Sequence, residues 1–255
     1  MIQALGLGSD VLAILAMLLA VAGILAFLTL RYVAHRPAGL RRIEAWERLK
    51  QLADRAIETA QPIHIALGAG PWEGLPIAEA LMGWTILSYI ARRVATCAQE
   101  ALVTTGDGVL WAGAQGIVHE ARRHAGLEVS TTLPEVRFAG PDPMAYAVGS
   151  AEAVRDQPCT AHFLGGHFGP EGLWLAQATA QSGAPRLGGT ADAFTSALLY
   201  ASLDEAVFGE DLFSAGAYLD RPYHLGSLLT QDLLRLVIIV LIVGGTILAS
   251  LGLWG

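Results

Sequence analysis

Lysine is nearly missing from this 255-residue chain, where Lys50 is the only one. No GxxxxGK[ST] phosphate loop can therefore be written in it, and neither a GxSxG serine elbow nor an HExxH zinc helix occurs. Cysteine is almost as scarce. Cys97 and Cys159 lack CxxC or Cys/His ligand spacing and sit in apolar surroundings, which suits buried free thiols in a reducing compartment. Charged residues make up only 15%, and their balance is acidic: 16 Lys and Arg against 23 Asp and Glu, a formal net charge of −7. Phosphate neutralisation needs a basic face, so a nucleic-acid partner is not expected. Neither a metal-ligand set nor a cofactor fingerprint is legible, and none is expected.

What the chain has in excess is apolar residues, 53% of the whole. Much of the excess lies in two uncharged blocks, 11–30 and 236–254. About 20 residues at about 1.5 Å each cross a hydrocarbon core of about 30 Å, so both blocks read as membrane spans. The first is longer than the apolar region of a signal peptide, and it follows Asp10 where a basic residue would be expected. Basic residues cluster instead at Arg31, Arg36, Arg41 and Arg42 after the first block, and at Arg235 before the second. Positive charge beside a span stays cytoplasmic, which predicts an outside tail (1–10), a transmembrane helix (11–33), a juxtamembrane amphipathic helix (34–60), a cytoplasmic α/β domain (61–228) and a second transmembrane helix (233–254). The lipid bilayer is the expected partner.

Within 34–60, Ile43, Trp46, Leu49, Leu52, Ala53 and Ala56 recur at helical spacing. Beyond them the rhythm changes to short apolar runs ending in glycine, each followed by a longer helical stretch. Strands are expected over 62–67, 101–104, 135–138, 160–164, 186–187 and 206–208, and helices over 77–98, 109–124, 143–154, 172–181 and 193–202. Continuous apolar strands with helical crossovers make a doubly wound, mainly parallel, Rossmann-like sheet. The stretch 77–98 could be read as a third span, but Glu79, Arg92 and Arg93 interrupt it. A helix buried in protein is expected, and if it is apolar all round, a neighbouring subunit is an alternative to the chain's own sheet as cover for one face.

The first βα loop carries Gly68 and Gly70 in a GxGxxxG pattern. This is one residue longer than the dinucleotide fingerprint and contains Pro71 and Glu73, so turn geometry accounts for it better than phosphate binding. His167 and Glu171 in the loop GGHFGPEG are candidates for an acid/base pair or two metal ligands, against a plain helix start set by Pro170 and Glu171. Gly106, Asp107, Gly166, Gly189 and Asp192 occupy equivalent strand ends and could line one pocket with them. His64, His119, His124, His162 and His224 read as surface or satisfied core residues.

The stretches GGTAD at 188–192, FGEDLFSAGAYL at 208–219, LGSL at 225–228, LRRI at 40–43 and FGPE at 168–171 together resemble an uncharacterised prokaryotic membrane family, domain of unknown function 6754. The resemblance covers most of the chain. It implies an α/β domain with membrane helices and no established reaction. Glu210, Asp211, Ala215, Gly216 and Tyr218 in its signature are candidates for close packing or subunit contact. The leading expectation is a non-enzymatic membrane scaffold that self-assembles into a homo-oligomer through the cytoplasmic domain. The alternative is a small-molecule-binding or hydrolytic domain that uses the glycine-rich loops.

Overall fold

All six expected strands form: β1 (Ile63–Gly68), β2 (Ala101–Thr105), β3 (Val136–Phe138), β4 (Ala161–His167), β5 (Arg186–Thr190) and β6 (Glu205–Phe208). The computed structural model describes residues 9–34, 41–70, 76–97, 101–127, 136–219 and 222–250. Arg36, Pro71 and Glu73 lie outside the described residues. The strands make one sheet in the order β3-β2-β1-β4-β5-β6, with every neighbouring pair parallel. This is the doubly wound order, in which the chain reverses its direction of winding between β1 and β4. Every residue of β1 and β2 is buried, which explains why their sequences run apolar without alternation.

Two strands run further than their glycines suggest. β4 continues through Gly165 and Gly166 to His167, and β5 through Gly188 and Gly189 to Thr190. In both, side chains would collide with neighbouring backbone: a Cβ on Gly166 would stand 2.2 Å from the Leu67 carbonyl oxygen, and one on Gly189 1.9 Å from that of Val207. Glycine here permits close strand approach and does not end the strand.

One face of the sheet is covered by α2 (Glu44–Thr59), α3 (Pro76–Ala95), α4 (Gly108–His124) and the short helices α8 (Glu210–Phe213) and α9 (Ala215–Tyr218). The other is covered by α5 (Pro143–Asp156), α6 (Glu171–Ala180) and α7 (Ala193–Ser202). Trp46, Leu49, Leu52, Ala53 and Ala56 of α2 are all buried in the first core. α3 is buried within the protein as its sequence predicts. Ile86, Leu87, Ile90 and Val94 are in the core, and helices α2, α4, α8 and α9 of the same chain pack on it.

The chain divides into two units: Arg41–Leu219, which holds the sheet, and Met1–Leu40 with Asp220–Gly255. In the second, α1 (Ser9–Ala34) and α10 (Pro222–Ser250) pack against each other. By length and composition His224–Ile247 in α10 could cross a membrane. In α1 the apolar stretch with described side chains, Ala16–Phe27, is shorter than a span. Among the described residues one spanning helix is therefore found where two were expected.

Candidate functional site

The carboxyl ends of β1 and β4 lie side by side where the winding reverses, the position at which open α/β sheets hold their ligands. Gly68 closes β1 with φ +85°, and a Cβ there would lie 2.2 Å from the His167 carbonyl oxygen, so both backbone conformation and space require glycine. Its N–H donates to the Tyr146 hydroxyl at 3.1 Å, and its carbonyl accepts from the N–H of Gly106 at 3.0 Å. The ends of β1 and β2 are thereby locked together with α5. Gly70 sits against the His167 imidazole, with room for nothing larger, since a Cβ would come within 2.5 Å of the ring. Gly83 lets α3 settle on β4: a Cβ there would be 2.7 Å from the Gly165 carbonyl oxygen.

Held by this bare backbone, His167 faces Glu79 of α3, Nδ1 to Oε2 at 3.5 Å. That is an ion-pair distance without a formed hydrogen bond, and among the described residues the buried Nδ1 has no hydrogen-bond partner. The same Glu79 oxygen accepts a hydrogen bond from Thr190 Oγ1 at 2.7 Å. Glu79 is only 5% exposed, whereas the His167 side chain is 31% exposed and opens to solvent. The Glu79 carboxylate raises the His167 pKa above the ordinary imidazole value against the opposing effect of burial, with Asp192 and Glu171 adding to the rise. Three separate elements, α3, β4 and β5, thus converge on one carboxylate.

The other expected pocket residues surround this centre in structural roles. Asp107 caps α4 by accepting from the N–H groups of Val109 and Leu110, at 2.8 and 2.9 Å. Asp192 caps α7 through the Thr195 N–H at 2.7 Å, and those hydrogen bonds hold its carboxyl below the usual range. Glu171 opens α6, is buried, and accepts from the Gly169 N–H at 2.7 Å. Asp107 and Asp192 are each preceded by a threonine two residues back, Thr105 and Thr190, whose hydroxyl accepts the aspartate N–H. Glu79 and Thr190 were missed as site residues, because Glu79 reads only as a charge interrupting an apolar helix. The available signal was a lone carboxylate in the first turn after a glycine-rich βα loop.

The remaining candidates lie elsewhere. Asp211 makes an ion pair with Arg41, and the Tyr218 hydroxyl donates to the Arg41 carbonyl. Ala215 and Gly216 are buried in their own unit, and Glu210 is exposed at the start of α8. Arg31, Arg42 and Arg235 are exposed, and Arg235 lies 3.9 Å from Asp232. His64 and His162 are fully buried core residues. Cys159 is buried, which pushes its thiol up to about 12, but Cys97 is exposed at the end of α3, contrary to the expectation of two buried thiols.

A family model described as "Domain of unknown function (DUF6754)" matches residues 7–254. With nearly the whole length matched, the chain belongs to that family. No curated protein and no solved structure matches.

Proposed function

We propose, taking membership of a family without an assigned activity as the premise, that the α/β unit is a membrane-tethered binding domain for a small polar molecule, held at the carboxyl edge of the sheet between β1 and β4. The observation that carries this reading is the meeting of Glu79, His167 and Thr190 where the strand order reverses. A buried carboxylate facing an imidazole contributes little to stability that apolar residues of the same volume would not supply. Its presence at this edge fits a ligand. A protonated His167 offers its Nε2 side to an anionic or carbonyl group, with Glu79 as its counter-charge and the absence of a side chain at Gly70 leaving room for the ring.

The tether rests on α10, whose apolar stretch is of spanning length, and on α1, which packs with it and carries no charge from residue 11 to residue 30. Arg31, Arg36, Arg41, Arg42 and Arg235 favour a cytoplasmic α/β unit. Native mass spectrometry of the detergent-extracted chain tests the binding role. The wild type is expected to carry a bound small molecule that His167→Ala and Glu79→Gln lose while keeping their circular dichroism. A wild type with no adduct, and with no thermal shift on adding nucleotides, amino acids or sugar phosphates at millimolar levels, would overturn it.

A second reading, a self-assembling scaffold, is favoured by Trp174, Phe194 and Tyr200, which are 64%, 65% and 68% exposed on α6 and α7. Light scattering decides it. A closed oligomer that Trp174→Asp and Tyr200→Asp dissociate supports the scaffold, and a monomer sinks it.

A further inference from the structure

At the opposite, amino edge of the sheet lies a second polar array. β1 and β4 pair in register so that His64 stands beside His162, and neither imidazole is exposed to any degree. Four groups form a continuous line: Thr104 Oγ1 to His64 Nε2 at 2.9 Å, His64 Nδ1 to His162 Nδ1 at 3.4 Å, and His162 Nε2 to Ser182 Oγ at 2.7 Å. The line ends at a wall. Ser182 is an exposed residue that lines a cavity of about 360 Å³ between α5 and α6, together with Val154, Arg155 and Gln181.

Two proton orders can be drawn along this line, and in both the Ala184 N–H donates to Ser182 Oγ at 3.2 Å. In one, the Ser182 hydroxyl donates to the Thr179 carbonyl at 2.7 Å and receives from His162 Nε2–H. In the other, Ser182 donates to His162 Nε2, His162 donates Nδ1–H to His64, and His64 donates Nε2–H to Thr104. The second order has a serine, a base within hydrogen-bond reach and a third group that orients the base. Burial lowers the His162 pKa to about 4, which keeps the ring neutral at pH 7 and makes it a weaker base than an ordinary imidazole. Arg155, which makes no ion pair with another described residue, puts positive charge on the same cavity wall.

We propose that Ser182 is the nucleophile of a second site, at the opposite edge of the sheet from Glu79 and His167, which hydrolyses small carboxylic esters bound in the cavity between α5 and α6. Ser182 Oγ attacks the carbonyl carbon, and its proton passes to His162 Nε2 as the Oγ–C bond forms. The bond from that carbon to the alcohol oxygen then breaks, and the alcohol leaves with the proton. Water attacks the acyl-serine carbon, giving up a proton through His162, and the C–Oγ bond breaks to release the acid and restore the serine hydroxyl. Arg155 stabilises the transient oxyanion or an acidic group of the ester.

The test is labelling of the purified full-length chain with a fluorophosphonate probe, read by intact mass and peptide mapping. One adduct is expected, on Ser182, and Ser182→Ala removes it. His162→Gln, checked for native circular dichroism, slows labelling by about 100-fold or more, the size of a general-base contribution. Arg155→Ala, a change at an exposed position, slows turnover of an acidic ester more than that of a neutral one. A wild type that takes no label, or a Ser182→Ala variant labelled as fast as wild type, overturns the proposal. So does a His162→Gln variant that keeps its fold and labels at the wild-type rate.

Discussion

Histidines in this protein pull its stability in opposite directions as pH changes. His64 and His162 are held neutral by burial, their pKa values well below the usual range for the first and about 4 for the second. The unfolded chain therefore binds more protons than the folded one below about pH 6.5, so their contribution is full above that value and is lost as pH falls toward 4. For His162 alone the loss at pH 5 is roughly 2 kcal/mol. His167, raised by Glu79, works with the opposite sign: its contribution is present below about pH 6.5 and disappears as pH rises through its folded value. Two fully buried groups outweigh one that is part-exposed, and the Tm is expected to be lower at pH 5 than at pH 7.5. A Tm that does not move in calorimetry over this range refutes that balance. Glycines supply a second contrast. Gly189→Ala drives a Cβ into the Val207 backbone and is expected to lower stability by about 1–3 kcal/mol or more, whereas Gly116, in α4 with nothing near it, is expected to gain roughly 0.5–1 kcal/mol when changed to Ala. Parallel chemical denaturation of the two variants checks both signs. His167 and Glu171 were legible as chemistry-bearing residues because they stand out in a glycine-rich loop. The His64–His162 pairing was not, because strand register is set by contacts about a hundred residues apart in sequence.

Among the elements, α2 shows how much of an amphipathic pattern survives into the structure. Its apolar stripe predicts a helix lying against something, and the partner proves to be the sheet, with Trp46 wholly buried and its indole N–H 3.4 Å from the Ser214 hydroxyl oxygen. Trp46→Ala is expected to lower stability by about 3–5 kcal/mol, measured by the denaturation midpoint; a change under about 1 kcal/mol would mean that α2 is not part of the cooperative unit. The caps are as local as the stripe: Asp107 and Asp192 before apolar runs mark the starts of α4 and α7. Strand ends were less legible. Glycine usually stops a strand, and only the close approach of neighbouring backbones, invisible in one strand's sequence, shows why β4 and β5 continue through theirs.

At the scale of the whole molecule the parallel sheet was legible from buried apolar strands alternating with helices, but its order was not, since order depends on which distant strands pair. The proposed orientation has a direct check in the native cysteines. Cys97 is exposed and Cys159 buried, so a membrane-impermeant maleimide should label one site per chain. Labelling only after cells are opened supports a cytoplasmic α/β unit, and labelling of intact cells reverses the topology. The contact between α1 and α10 has its own consequence. The two ends of the chain are clasped, and the sheet-bearing unit is in effect an insertion into a helical pair. A single protease nick in the exposed turn at 181–183 would then leave two fragments that each keep one member of the pair, so the broken chain should travel as one particle, held by the helix pair as well as by the β4–β5 ladder.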